Sequence, residues 1–128
     1  MSGKVVHFEI PADNVERAKT FYKSAFGWNF NQVPGIDYTM LITVPVDKNG
    51  MPTEPGAING GMQTRRGAVK SPVITIQVED IEAALKSVTK LGGVVVQKKM
   101  PVADMGFTAY FEDTEGNIIG LWQAVMKQ

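Results

Sequence analysis

Apolar and polar positions along this chain alternate in two registers, and each register recurs once. Residues 5–10 carry β-branched and aromatic side chains with a period of two. Val6, Phe8 and Ile10 fall on one face, and Val5, His7 and Glu9 on the other. Pro11 is expected to end this strand. A period near 3.6 follows. Val15, Ala18, Phe21, Tyr22, Ala25 and Phe26 trace the apolar stripe of a helix that Asp13 or Asn14 can cap and Gly27 can stop. Strands are predicted over 28–33, 38–44 and 57–63, with a turn at Pro34-Gly35 and a polar loop over 45–55.

The same order then returns. Residues 73–78 read as a strand with Ile74, Ile76 and Val78 on one face and Val73, Thr75 and Gln77 on the other. Asp80 caps a helix carrying Ile81, Ala84, Leu85, Val88 and Leu91, and Gly92-Gly93 stops it. Strands follow over 94–98, 107–112 and 118–123, the last two joined by the turn Asp113-Thr114-Glu115-Gly116-Asn117. Val15, Ala18, Tyr22, Ala25 and Gly27 recur as Ile81, Ala84, Val88, Leu91 and Gly93, each 66 positions on. His7 falls where the second copy has Val73. Near the ends, Ile58, Gly60 and Gln63 align with Ile118, Gly120 and Gln123, now displaced by 60, which puts six extra residues in the later loops of the first copy.

Each copy is therefore β-α-β-β-β. Neither small sheet can bury both of its faces alone. The expected fold is α+β: two tandem βαβββ modules forming a cupped mixed β-sheet with the helices on the outer face. At 128 residues the chain is read as one domain, with module one at about 4–64 and module two at about 72–126.

Composition narrows the function classes. Lys plus Arg and Asp plus Glu balance at 13 each, so no net field favours nucleic acid or an anionic membrane. There are no cysteines, which removes disulfides, thiolate metal sites and thiol nucleophiles. No stretch has transmembrane length and no signal-peptide pattern is present, so a cytosolic protein is expected.

His7-Phe8-Glu9-Ile10, Phe21-Tyr22, Phe26-Gly27-Trp28, Val78-Glu79-Asp80, Gly92-Gly93 and the Asp113–Asn117 turn together resemble the vicinal-oxygen-chelate superfamily of glyoxalases, bleomycin-resistance proteins and extradiol dioxygenases. Ala57-Ile58-Asn59-Gly60-Gly61 and Gly116-Asn117-Ile118-Ile119-Gly120-Leu121-Trp122 resemble its small glyoxalase-like (lactoylglutathione-lyase-related) subgroup. The resemblance runs from about Val5 to Trp122. It implies up to four metal ligands on the concave face, at His7, Gly60, Val73 and Gly120. Only His7 of these can bind a metal, and a catalytic site generally needs about three protein ligands. The expectation is no resident cofactor, with a divalent metal disfavoured.

The expected partner is instead a small, partly apolar organic ligand, in a protein that the resemblance suggests is a homodimer. His7 is the candidate base, with Glu9 fixing its tautomer. Thr75 and Gln77 would orient the ligand, beside Gly60, Met62, Gly120 and Trp122, which the resemblance places in the cup. Tyr38, Met40 and Phe107 are weaker lining candidates because the phase of their strands is open. Two alternatives stand beside this reading. One is a binding protein that sequesters a drug or metabolite without turnover. The other is a metal-dependent lyase or isomerase in which a shifted register brings Glu112 or Asp37 inward.

Overall fold

The computed structural model describes residues 3–125, which form eight strands and two helices. They divide into two compact units, each built around one copy of the repeat. His7–Pro72 make one unit; residues 3–6 group with the chain from Val73 onward in the other.

In the first unit, β1 (Val5–Ala12) is followed by α1 (Val15–Phe26), β2 (Asn29–Gln32), β3 (Thr39–Ile42) and β4 (Gly60–Thr64). The strand order is β2-β3-β4-β1. β1 and β4 are parallel, while β2–β3 and β3–β4 are antiparallel. Pro11 does not end β1: it pairs with Gln63, and Ala12 with Thr64. The fixed φ of proline suits an extended strand, and its carbonyl remains free to accept. Asn14 caps α1, its side chain accepting from the Arg17 amide at 2.9 Å. Gly27 closes the helix with φ 77°, a left-handed conformation that favours glycine.

Ala12, Leu41 and Met62 form the buried core of this unit, flanked by Phe8, Ile10, Val15, Ala18, Tyr22, Trp28 and Phe30. The expected stripe of α1 is only partly used. Tyr22 stacks on Trp28 at 4.7 Å with the rings 7° apart, but Phe21 and Phe26 remain mostly exposed. A stripe of six apolar positions wraps further round the helix than one sheet face can cover.

The second unit repeats the plan with β5 (Val73–Gln77), α2 (Ile81–Lys90), β6 (Val94–Val102), β7 (Gly106–Glu112) and β8 (Ile118–Ala124), in the order β5-β8-β7-β6. β5 and β8 are parallel; β8–β7 and β7–β6 are antiparallel. Gly3 and Lys4 bond the backbone of Gln77, which explains why the first residues of β1 group here. Ile81, Leu85, Ala109 and Leu121 make the core. Asp80 caps α2 through the Ala83 amide, and the Gln123 side chain accepts from the amide of Ile81 at 2.9 Å. Asp113 holds the β7–β8 turn, and hydrogen bonds from Asn117 and then Glu115 keep its carboxyl below the usual range. β6 runs past its expected end at Lys98 to Val102, with register shifts that absorb the irregular pairing before Pro101.

These elements have the predicted α+β, twice-repeated βαβββ arrangement. Among the described residues, no helix is long and apolar enough to cross a membrane.

Candidate functional site

The alternation of β1 decides which side chains leave the helix-packed face. Phe8 and Ile10 enter the core with α1, so His7 and Glu9 project from the opposite face. On that face Glu9 is paired with Gly61 of β4, and Met40 of β3 with Gly61 from the other side. Tyr38 stands just before β3, where the chain returns from the Pro34-Gly35 turn, and its carbonyl accepts from the Val33 amide at 2.9 Å.

Tyr38 is the residue that organises the site. Its hydroxyl donates to Glu9 Oε2 at 2.9 Å and lies 2.7 Å from His7 Nε2. The His7 and Tyr38 rings lie near parallel, 18° apart. Gly61 makes this possible: a Cβ there would fall on the Tyr38 hydroxyl. His7, Glu9 and Tyr38 thus form one chain of hydrogen bonds, with Glu9 only 6% exposed. From sequence, Tyr38 is only a weak lining candidate and Gly61 is not among the site residues. The signals that point to them are the second glycine of the Gly60-Gly61 pair and an aromatic residue soon after a Pro-Gly turn.

Burial pushes the His7 imidazole down from 6.5 to about 4, because a buried site disfavours the charged form. His7 is therefore neutral at pH 7. The unfolded chain takes up a proton near 6.5 and the folded chain resists until about 4. Between those values the unfolded state binds more protons, so stability falls as pH falls, by at most about 3 kcal/mol. Denaturant unfolding at pH 7.5, 5.5 and 4 should show this loss, and His7→Gln should lack the part of the slope between 6.5 and 4.

The second unit gathers its own set. Thr75 pairs with Gly120 and Gln77 with Trp122, so these four share one sheet face. Val73 and Tyr110 lie on it too, Tyr110 being paired with Gly120. A Cβ on Gly120 would stand 2.9 Å from Thr75 Oγ1, and one on Gly106 would meet the Trp122 ring at 2.8 Å. At both glycines neighbouring side chains fill the space. Phe107 packs instead against the core shared with α2.

Gly60 and Met62 require a correction. They pair with Phe8 and Ile10, and so lie on the helix-packed face. Met62 is fully buried beside Leu41. A Cβ on Gly60 would meet the Phe8 carbonyl at 2.5 Å. The residues of β4 that share a face with His7 are Gly61 and Gln63. The repeat is offset by one residue more at this strand than its glycines suggest. Glu9 and Thr75 hold equivalent places 66 positions apart, but Gly61 and Gly120, their strand partners, are 59 apart. Seven residues, not six, are extra in the first copy. Because side chains alternate, one residue moves a side chain to the other face.

With that correction, the positions at which the resemblance would seat a metal are His7, Gly61, Val73 and Gly120. Gly61's side-chain space is taken by the Tyr38 hydroxyl, Val73 is a buried hydrocarbon, and Gly120 is closed by Thr75. Among the described residues, no three His, Cys, Asp or Glu lie together in a group that could hold a metal ion. Asp37 is engaged by Arg66 at 3.2 Å and by the Thr64 amide. Glu112 sits at the end of β7, paired with Val94 and Ile118. The residues present do not fit the family's metal centre.

Residues 4–43 match the model of a family described as bleomycin resistance protein-like N-terminal. A glyoxylase-like domain-containing protein of Didymella fabae is 35% identical over 125 residues, which cover 91% of each chain. The chain belongs to the glyoxylase-like family, within the vicinal-oxygen-chelate superfamily. Another relative, a putative glyoxylase of Mycobacterium bovis, is 33% identical over 119 residues, covering 84% of this chain and 40% of that one. Among solved structures, a variant of Streptomyces coelicolor methylmalonyl-CoA epimerase in complex with 2-nitronate-propionyl-CoA superposes with a TM-score of 0.67 at 14% identity. The match covers 98% of this chain and 100% of that one, a likeness that concerns the fold. In this glyoxylase-like chain the first module carries a Glu9–Tyr38–His7 hydrogen-bond chain over Gly61.

Proposed function

We propose that this protein binds a small, partly apolar organic molecule on the His7 face of its first module and that His7 is the proton acceptor there, acting without a tightly held metal. The observation that carries the reading is a buried, neutral imidazole tied at one nitrogen to Tyr38 and, through it, to Glu9. A general base must be unprotonated at the working pH and is most efficient when its pKa lies near that pH. His7 is neutral at pH 7 and held by Tyr38, but at about 4 it is a weak base, so it suits only a proton already acidified by a neighbouring carbonyl.

The names of the relatives support a reaction class. A glyoxylase and a methylmalonyl-CoA epimerase both suggest carbon acids beside a carbonyl or thioester. In the proposed step, the His7 nitrogen takes the proton from that carbon. The C–H electron pair moves toward the carbonyl oxygen to give an enolate, and the imidazolium later returns the proton. On the equivalent face of the second module, Thr75 and Gln77 are candidates to bind polar groups of a ligand, and Trp122 to pack it.

The test is deuterium wash-in in D2O, followed by proton NMR, on methylmalonyl-CoA and on the glutathione hemithioacetal of methylglyoxal, with chelator present. Exchange at the carbon next to the carbonyl that falls at least about 100-fold in His7→Gln, in line with the usual contribution of a general base, supports the reading. Exchange that appears only on adding divalent nickel or zinc overturns it. A second reading, sequestration, is favoured by the match to a bleomycin resistance protein-like model. Saturable binding without exchange would select it instead.

A further inference from the structure

We infer that Tyr38 is a positioning residue that locks His7 as the Nε2–H tautomer, so that His7 meets its ligand through Nδ1, and that Gly61 is the residue that makes room for this lock. The inference rests on the reading of His7 as the ligand-facing base and specifies which atom does the work.

The hydrogen-bond chain fixes where each proton sits. A phenol has one proton to give and can accept as well. The Tyr38 proton goes to Glu9 Oε2. Toward His7 Nε2, at 2.7 Å, the Tyr38 oxygen can then only accept, so Nε2 must carry a hydrogen. His7 is neutral near pH 7 and carries one ring proton. Nδ1 is therefore the bare lone pair. Among the described residues, the ring's hydrogen bond is the one that Nε2 makes with Tyr38. A bare imidazole nitrogen accepts. It selects a ligand that presents an acidic C–H, an N–H or an O–H, and it disfavours a ligand that presents a carboxylate or phosphate oxygen at that point.

Gly61 is the geometric condition. The phenol reaches both partners only by lying over the β4 backbone, in the volume that any other residue's Cβ would fill. In module two, the equivalent glycine is closed by Thr75 and Tyr110 instead. No lock of this kind can form there, because Val73 stands where module one has His7.

His7 is the only histidine in the chain, so its ring nitrogens can be read without assignment ambiguity. The experiment is a long-range proton–nitrogen NMR correlation on the ligand-free, 15N-labelled full chain at pH 7. The expected wild-type signature is a protonated Nε2, a non-protonated Nδ1 and an Nε2 proton that exchanges slowly enough with water to be seen. Tyr38→Phe removes the acceptor, and Gly61→Ala displaces the ring while keeping the hydroxyl. Both should lose the slowly exchanging proton and move toward a mixture of tautomers. A wild-type ring protonated at Nδ1 would overturn the inference even if neither variant folds. So would a slowly exchanging Nε2 proton that survives Tyr38→Phe. The measurement needs no substrate, so a locked ring in a protein that shows no deuterium wash-in would count against the proposed reaction and leave the lock standing.

Discussion

Met62→Ala is expected to lower the free energy of unfolding by about 2–5 kcal/mol, whereas Gln63→Ala, one residue on, should change it by no more than about 0.5 kcal/mol. Met62 has no exposed surface and packs with Leu41 and Ala12 under α1. Truncating it removes the transfer energy of its side chain and leaves a cavity that neighbouring strands cannot close. Gln63 projects from the opposite face and is only partly buried. Urea or guanidinium unfolding, monitored by tryptophan fluorescence and far-ultraviolet circular dichroism, compares the two directly. Equal effects, or the reverse order, would mean that β4 is registered one residue away from the pairing Ile10–Met62. The result would then restore the sequence-based placement of Met62 on the His7 face.

Gly61→Ala should have the largest effect on the site. The backbone of Gly61 is not in the left-handed region, so alanine is not excluded by conformation. What it meets is the far end of Tyr38, a side chain that can swing away. The stability cost should therefore stay at about 1–3 kcal/mol, the range for overpacking. The chemical consequence is greater. With Tyr38 displaced, the His7 ring loses its hydrogen-bond partner at Nε2, and water reaches that edge of the imidazole. Its pKa should rise from about 4 toward the ordinary 6.5, because burial is what lowered it. Titrating the single histidine by NMR measures the rise. Gly60→Ala is the informative control. Its Cβ would strike the Phe8 carbonyl and ring, so it should destabilise the fold more severely. It faces away from Tyr38, so at temperatures where it remains folded it should leave the His7 titration low. An unchanged His7 pKa in Gly61→Ala would show that Tyr38 does not shield the ring.

Much of this protein is legible in the order of its residues. Period-two and period-3.6 patterns mark the eight strands and two helices, and Asn14, Gly27 and Asp80 mark helix ends that the structure keeps. The faces of β1 and β5 also follow, since each has a clear apolar set, Phe8 with Ile10 in β1 and Ile76 in β5 with Val78 just beyond its end. β4 cannot be read in this way. Gly60, Gly61, Met62 and Gln63 offer two glycines and one apolar residue, too little alternation to say which side faces the helix. Taking the phase from the repeat fails there, because a loop one residue longer is enough to invert it. Pro11 misleads for a related reason: proline stops a helix outright, but a strand can run through it when no ladder donor is needed at that position.

By itself, the sequence determined the repeated βαβββ plan, the family, and the presence of His7 and Glu9 on one face of one strand. These follow from local periodicity and from residue identity, which need only a few neighbouring positions to be expressed. Tertiary structure alone decided that Tyr38, some thirty residues away, completes the site, and that Gly61 rather than Gly60 underlies it. Both facts depend on the register between β1, β3 and β4. Register is set by how non-adjacent strands bury their apolar faces against α1, and no local pattern in β4 records it.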